Sequence, residues 1–430
     1  MLYLLLVVLI VLFGMDLILG QNLVRPASIF LLSILMSTIL ILLNKSNWDV
    51  VLSWKFVVYV CTAVFSFLVA TVFVDILKEK KVKMLRNKVP SSSIQERRAY
   101  PSKLLLFISF LVSILFIILK FRELGFSLEL SNILKQAYAT TVEHNGSQSF
   151  LLNQLLKVST AIAYVSVFQI LFNRYAINRI FKQHINYINV FLFVIVTIVS
   201  TDRNILLRFF IFTAVLWGLF FTHSFKNKFK YINLKMIRKS IPYISLIILV
   251  FFFAGRLKGY TSDLNRVIGL YAGSGLYNFN IFLTNFDGTV LKMGGATFNQ
   301  LLSLLSVFGF VDYAGGSPFE SFIIFKSSTG FIYASNIYSA LKPFVEDFGY
   351  AGVVFYPAFL GMFYQNLYNW TQKKAYDFSW GIYSLLIYPL VYVGIAEQFF
   401  ARLHLGLFYE IIWFTIFYFY STRRVVFKIK

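Results

Sequence analysis

Long apolar runs separated by short polar stretches extend along the whole chain. A helix needs roughly 20 apolar residues to cross the hydrocarbon core of a bilayer, where its backbone groups must bond to one another. Eleven runs approach this length, near residues 2–19, 27–43, 54–77, 104–119, 155–172, 187–200, 206–222, 241–254, 347–368, 380–396 and 405–420. The pattern therefore predicts an all-α polytopic membrane protein in which residues 1–430 form a single integral membrane domain.

Two segments between these runs are too long to be turns. The first covers residues 121–153 and the second covers about 255–346. The second contains apolar stretches that are too short to span a bilayer, at 267–286 and 298–311. Such stretches are typical of interfacial or re-entrant helices buried against protein. We therefore expect a large outer loop at 255–346 that bears the functional site.

Charge is sparse and unevenly placed. Charged residues make up 13% of the chain and hydrophobic residues 58%, a balance far from that of a soluble domain. Most of the Lys and Arg residues behind the net charge of +22 lie in blocks between apolar runs, at 78–103, 174–182, 226–239, 373–374 and 423–430. This placement favours a topological role over binding to nucleic acid.

The basic blocks also predict an orientation. Two apolar runs separate each block from the next, so all blocks face one side, which their Lys and Arg content marks as cytoplasmic. The 78–103 segment is then a basic cytoplasmic loop, and 121–153 is the first outer loop. The C-terminus is expected to be cytoplasmic and the N-terminus to lie outside.

Several common chemistries have no motif in this chain. The sequence contains no phosphate-binding Gly-x-x-x-x-Gly-Lys loop, no His-Glu-x-x-His zinc helix and no Gly-x-Ser-x-Gly nucleophile elbow. The lone Cys61 excludes an intramolecular disulfide and a multi-cysteine metal site. We expect neither a metal nor another cofactor.

A short outer turn, Ser200–Asn204, carries a first candidate site residue. The turn puts Arg203 at the level of the lipid headgroups, next to Asp202. An arginine fork there can bind a diphosphate through two hydrogen bonds and keeps its charge at any working pH. The alternative is an arginine that snorkels or caps the helix bundle.

Three further cations, Arg256, Lys258 and Arg266, open the long outer loop. Loops on the translocated side usually carry few Lys and Arg residues. Three cations there therefore favour an anion-binding site over ordinary loop charge. Later in the same loop, Tyr277 and Asn278 could stack on a sugar ring and bind its hydroxyl groups. An interfacial aromatic belt is the alternative for these aromatic positions.

Glu397, Arg402 and His404 lie between the last two runs. A neutral imidazole can take a proton near neutral pH, so His404 is a candidate general base. The alternative is a structural histidine, in which case Glu397 is the competing base. Glu397 could also orient the imidazole.

Several short motifs resemble those of bacterial oligosaccharide repeat-unit polymerases, the Wzy-type O-antigen and capsule polymerases. They are Thr201-Asp202-Arg203 leading into Ile205-Leu206-Leu207, the Ala-Gly-Arg at 254–256, the segment 271–279 and the segment 346–352. The topology is similar to that of GT-C-like lipid-linked glycosyltransferases. One family feature, a glycine sixteen positions after each outer arginine, is replaced here by Leu219 and Ala272.

The resemblance implies a metal-independent glycosyltransferase at the outer face of the bacterial cytoplasmic membrane. It would polymerise undecaprenyl-diphosphate-linked oligosaccharide repeat units into O-antigen, capsule or exopolysaccharide. Arg203 and Arg256 would then stabilise the diphosphate leaving group. The resemblance also implies membrane lipid, a chain-length regulator and a flippase as partners.

Two other functions stay open. A flippase or transporter for the same lipid-linked glycans would show matched halves or interrupted helices with charges inside the membrane. An O-antigen ligase would share the fold and mechanism of a polymerase.

Overall fold

The computed structural model describes residues 1–20, 22–85, 102–123, 149–176, 183–200, 202–224, 238, 268–288, 291–313 and 320–422. The first seven helices of this part follow the apolar runs: α1 Leu2–Gly20, α2 Pro26–Leu43, α3 Trp54–Leu85, α4 Lys103–Glu123, α5 Phe150–Tyr175, α6 His184–Ser200 and α7 Arg203–Ser224. The remaining elements are a π-helix at Gly269–Gly273, α8 Ser274–Asn285, α9 Asn299–Val307, β1 Ile323–Lys326, β2 Ile332–Ser335, α10 Leu341–Thr371, α11 Phe378–Leu386, α12 Tyr388–Val391, a 3₁₀ helix at Phe400–Arg402 and α13 Leu405–Ser421.

The chain is a mostly helical, multi-pass membrane protein. Five of the described helices are long and apolar enough to cross a bilayer, at Pro26–Leu43, Trp54–Lys78, Lys103–Glu123, Phe150–Tyr175 and Asn204–Ser224. Other predicted runs coincide with helices that are shorter or interrupted, and the predicted run at 241–254 lies outside the described residues.

Two predicted spans are not straight helices. α10 breaks at Phe348 and Gly349, where Gly349 has φ 57° and ψ −138°, a backbone conformation that glycine adopts readily. The predicted run at 380–396 is divided between α11 and α12, and then continues as a turn to residue 395. The helix is interrupted just before Pro389, which has no backbone N–H to continue the hydrogen-bond ladder. Beyond the interruption, Ser33 Oγ of α2 donates to the Val391 carbonyl at 2.7 Å.

The described residues divide into two compact units. Unit 1 comprises Met1–Val89, Asp263–Lys374 and Leu386–Gly406, and unit 2 comprises Pro90–Ser262, Ala375–Leu385 and Leu407–Lys430. In unit 1, α10 packs along α3, and α1 packs along α2. In unit 2, α5 packs against α4, α6 and α7.

A β-hairpin within unit 1 was not predicted. Ile323 pairs with Ser335 and Lys326 with Ile332 in antiparallel register. The Asp49 carboxylate of the α2–α3 loop accepts hydrogen bonds from Ser328 in the hairpin turn, from its backbone N–H and its hydroxyl, both at 2.6 Å. Four-residue strands are too short to show a clear alternating pattern, so hydropathy alone does not reveal them.

Charged and amide side chains of four helices meet at one end of unit 1. The Arg25 guanidinium lies 3.0 Å from the Asp75 carboxylate and 3.6 Å from that of Asp16. The Asn369 amide donates to Asp75 and accepts from the Lys78 ammonium, both at 3.0 Å. Arg25, Lys78 and the end of α10 therefore lie together at this end of unit 1. The hairpin lies at the α2–α3 loop, at the opposite ends of α2 and α3.

Candidate functional site

The loop from Glu397 to His404 packs on α10 between Tyr356 and Tyr364. Its anchor is Phe400, which is buried and lies edge-on to Tyr356 of α10, with ring centroids 5.5 Å apart. The ring of Phe298, which precedes α9, also contacts the Phe400 ring, with centroids 5.0 Å apart. The structure thus brings two segments that were both predicted to be outward into contact within unit 1.

Glu397 caps the start of the 3₁₀ helix. Its Oε1 accepts from the backbone N–H groups of Phe399 and Phe400 at 2.7 and 2.8 Å, and its Oε2 accepts from that of Ala401 at 2.7 Å. Burial raises the pKa of the Glu397 carboxyl to about 7, although the three backbone donors act in the opposite direction. A carboxyl group with a pKa in this range can take up and release a proton near neutral pH, which suits a general base.

His404 is oriented by the backbone that follows it. The Gly406 N–H donates to His404 Nδ1 at 2.8 Å. Since Nδ1 is the acceptor, the proton of the neutral ring lies on Nε2. This geometry favours a role as a hydrogen-bond donor over the role of general base.

Arg402 lies between these two residues. Its guanidinium is centred 5.6 Å from the ring of Tyr388, a cation–π contact that orients it against α12. The loop therefore gathers a titratable carboxylate, a permanent cation and an imidazole donor. This combination can remove a proton from one group while stabilising negative charge on another.

The neighbouring segment is clamped to the break in α10. The buried Asp347 carboxylate accepts from the N–H groups of Ala296 and Thr297 at 2.9 and 2.6 Å. The N–H of Lys292 donates to the Glu346 carbonyl at 2.9 Å. Asp347 was not a predicted site residue, and its position next to a helix-breaking glycine is the only sign of this role in the sequence.

Tyr277 and Asn278 are structural. Both are buried in α8, with Asn278 fully shielded from solvent. The Asn278 amide donates to the Ile337 carbonyl at 2.7 Å and accepts from the Tyr333 hydroxyl at 2.5 Å. Tyr277 donates to the Trp48 carbonyl at 3.2 Å. In this structure these groups fasten the hairpin and the α2–α3 loop to α8, and a sugar would have no access to them.

The remaining predicted residues are differently placed. Asp202 caps α7 in unit 2, where its carboxylate accepts from the Asn204 N–H at 2.9 Å. Arg203 is the first residue of α7, and its side chain lies outside the described part of the structure. Arg256, Lys258 and Arg266 also lie outside the described residues.

A buried ion pair in unit 2 was missed by the sequence analysis. Arg208 of α7 and Glu410 of α13 are both nearly shielded from solvent, and Arg208 Nη1 lies 3.1 Å from Glu410 Oε1. Each residue sits about a turn and a half into its helix, which places the pair inside the apolar run. A charge within each of two apolar runs was the signal that could have identified the pair.

Among the described residues, no group of three or more His, Cys, Asp or Glu side chains is arranged to hold a metal ion. Comparison of the chain with protein-family models, with curated proteins and with solved structures finds no match.

Proposed function

We propose that this chain is a glycosyltransferase that polymerises lipid-linked oligosaccharide repeat units at the outer face of a bacterial cytoplasmic membrane. One observation carries the proposal: the loop from Glu397 to His404 gathers acid–base, cationic and donor groups at one end of a membrane-embedded unit. The resemblance of the Asp202-Arg203 turn and the 346–352 segment to repeat-unit polymerases supports the same activity. The donor would be an undecaprenyl-diphosphate-linked glycan, and the acceptor the terminal sugar of an incoming repeat.

In this mechanism the acceptor hydroxyl loses its proton to Glu397 as the new glycosidic bond forms. The bond between the donor sugar and the diphosphate breaks at the same centre, and the diphosphate leaves with the electron pair. In this proposal, Arg402 and the Nε2–H of His404 stabilise the negative charge that develops near the loop. Arg203 and Arg256 are the further candidates for binding the diphosphate.

A flippase is the second candidate, because interrupted helices and a charged pair inside the membrane are features of transporters. This chain has both features. α10 is broken at Gly349, and α11 and α12 are separate helices. Arg208 and Glu410 form the charged pair.

Deletion of the gene in its host separates the candidates, with surface glycan analysed on a gel. A polymerase deletion should leave surface glycans of a single repeat. Loss of surface glycan with lipid-linked repeats trapped inside would identify a flippase, and long unattached chains would identify a ligase. Either of the last two results would contradict the proposal.

A further inference from the structure

Residues 293–311 form an uncharged segment between Lys292 and Asp312. The segment does not cross a bilayer, because it consists of a turn, the short helix α9 and a second turn. None of the α9 residues is buried, in contrast to the expectation of a helix buried against protein. Its half-buried residues end in exposed apolar ones from Val307 onward, and exposed apolar side chains favour an apolar environment.

The end of α9 is held in a defined turn. The Phe310 N–H donates to the Leu305 carbonyl at 3.0 Å, and the Gly309 N–H donates to the Ser306 carbonyl at 2.9 Å. Gly309 has φ 75°, the left-handed conformation that this helix-terminating motif requires. The backbone conformation of this turn therefore fixes where the Phe308 and Phe310 side chains point.

These side chains form an exposed apolar tip, defined here as Val307, Phe308 and Phe310. Their exposed fractions are 78%, 60% and 75%. The two phenyl centroids are 6.5 Å apart, so the rings form one patch. Within the described part of the chain, the tip is not covered by protein.

The segment that carries the tip is joined to an exposed apolar surface of α10 at its other end. Phe298, at the start of α9, contacts Tyr356 of α10 with ring centroids 5.9 Å apart. Phe355, next to Tyr356, is 71% exposed. Phe359, about one turn further along α10, is 45% exposed. The apolar surface thus continues from α10 toward α9.

We propose that Val307, Phe308 and Phe310 insert among the acyl chains of the adjacent bilayer leaflet. Protein interfaces usually have a polar rim, and helices that bind anionic headgroups carry Lys or Arg on their polar face. The polar face of α9 has only uncharged residues, Asn299, Gln300, Ser303 and Ser306. Insertion into hydrocarbon, rather than binding to a charged partner, is the interaction that this composition supports.

Insertion of the tip has a consequence for the candidate site. Phe298 links α9 to Phe400, and Asp347 clamps the turn before α9 to α10. Insertion of the tip is therefore coupled to the position of the Glu397–His404 loop through Phe298 and α10.

The test uses the full-length protein with Cys61→Ala, reconstituted in phospholipid nanodiscs and carrying a nitroxide at one introduced cysteine. Phe310→Cys is compared with Phe355→Cys as the lipid-facing reference and with Asp312→Cys as the matched control two residues away. Collision rates with oxygen and with a neutral nickel chelate are measured by power saturation. The oxygen-to-nickel ratio at Phe310→Cys should match that at Phe355→Cys and exceed that at Asp312→Cys several-fold.

Two results would overturn the insertion. A ratio at Phe310→Cys equal to that at Asp312→Cys would put the tip in water. Low collision rates with both reagents would show that protein covers the tip, either a partner or a second copy. Neither measurement depends on catalytic activity.

Discussion

Backbone N–H groups already bond to acceptor atoms of both Glu397 and His404, but they leave different atoms available on the two side chains. A carboxylate offers about four lone-pair sites, and backbone N–H groups use three of those on Glu397, so one is left for an acceptor proton. The Nδ1 of His404 is occupied by the Gly406 N–H. At the scale of residues, we therefore assign the proposed acid–base role to Glu397.

This assignment predicts the pH dependence of polymerisation by purified protein. Glu397 acts as a base only when ionised, so the rate should fall as the pH drops through its pKa of about 7. Glu397→Gln should lose roughly 100-fold to 10,000-fold in rate, the usual contribution of a positioned base. His404→Gln, which retains a donor, should lose much less than His404→Ala. A severe loss in His404→Gln with a parental pH profile in Glu397→Gln would return the base role to His404.

At the scale of elements, the break in α10 depends on the absence of a side chain at Gly352. A Cβ added there would overlap the carbonyl oxygen of Phe344, on the other side of the break. Gly352→Ala should therefore destabilise the protein by about 1–3 kcal/mol, the usual cost of overpacking. Thermal unfolding in detergent measures the effect.

Gly14→Ala in α1 is the matched control, because a Cβ there meets nothing within 4 Å. Alanine also favours a helix over glycine, so this variant should unfold at the parental temperature or slightly above it. Equal unfolding temperatures for both variants would show that α10 adapts at its break without cost.

The Arg208–Glu410 pair joins α7 to α13 in unit 2. Arg208→Ala or Glu410→Ala leaves the other charge buried, which should cost about 3–5 kcal/mol of stability. The swapped variant, with Arg208→Glu and Glu410→Arg together, should recover most of that loss in thermal unfolding. A swapped protein that unfolds as early as the single variants would show that the surroundings of each charge, and not the pair, determine its position.

At the scale of the whole molecule, the grouping of basic residues predicts the orientation. In a Cys61→Ala background, Thr329→Cys in the exposed hairpin turn should react with an impermeant maleimide in intact cells. Lys374→Cys, exposed just after α10, should react only after the cells are permeabilised. The reverse labelling pattern would place the candidate site on the cytoplasmic side.

The sequence alone determined the positions of the membrane helices. Lipid supplies no hydrogen bonds, so each spanning segment must be apolar and long enough by itself, and both properties are visible locally. This is why the predicted runs near residues 27–43, 54–77 and 104–119 coincide with α2, α3 and α4. The loop at 397–404 is visible in the sequence for the same reason, since it separates two apolar runs.

Only the tertiary structure decided what the polar side chains do. Tyr277 and Asn278 look like ligand-binding residues in the sequence, but the hairpin buries them. The partner of Arg208 lies 202 positions away along the chain. A side chain's partner, protonation and accessibility depend on groups that are distant in sequence, and these become neighbours only when the helices pack.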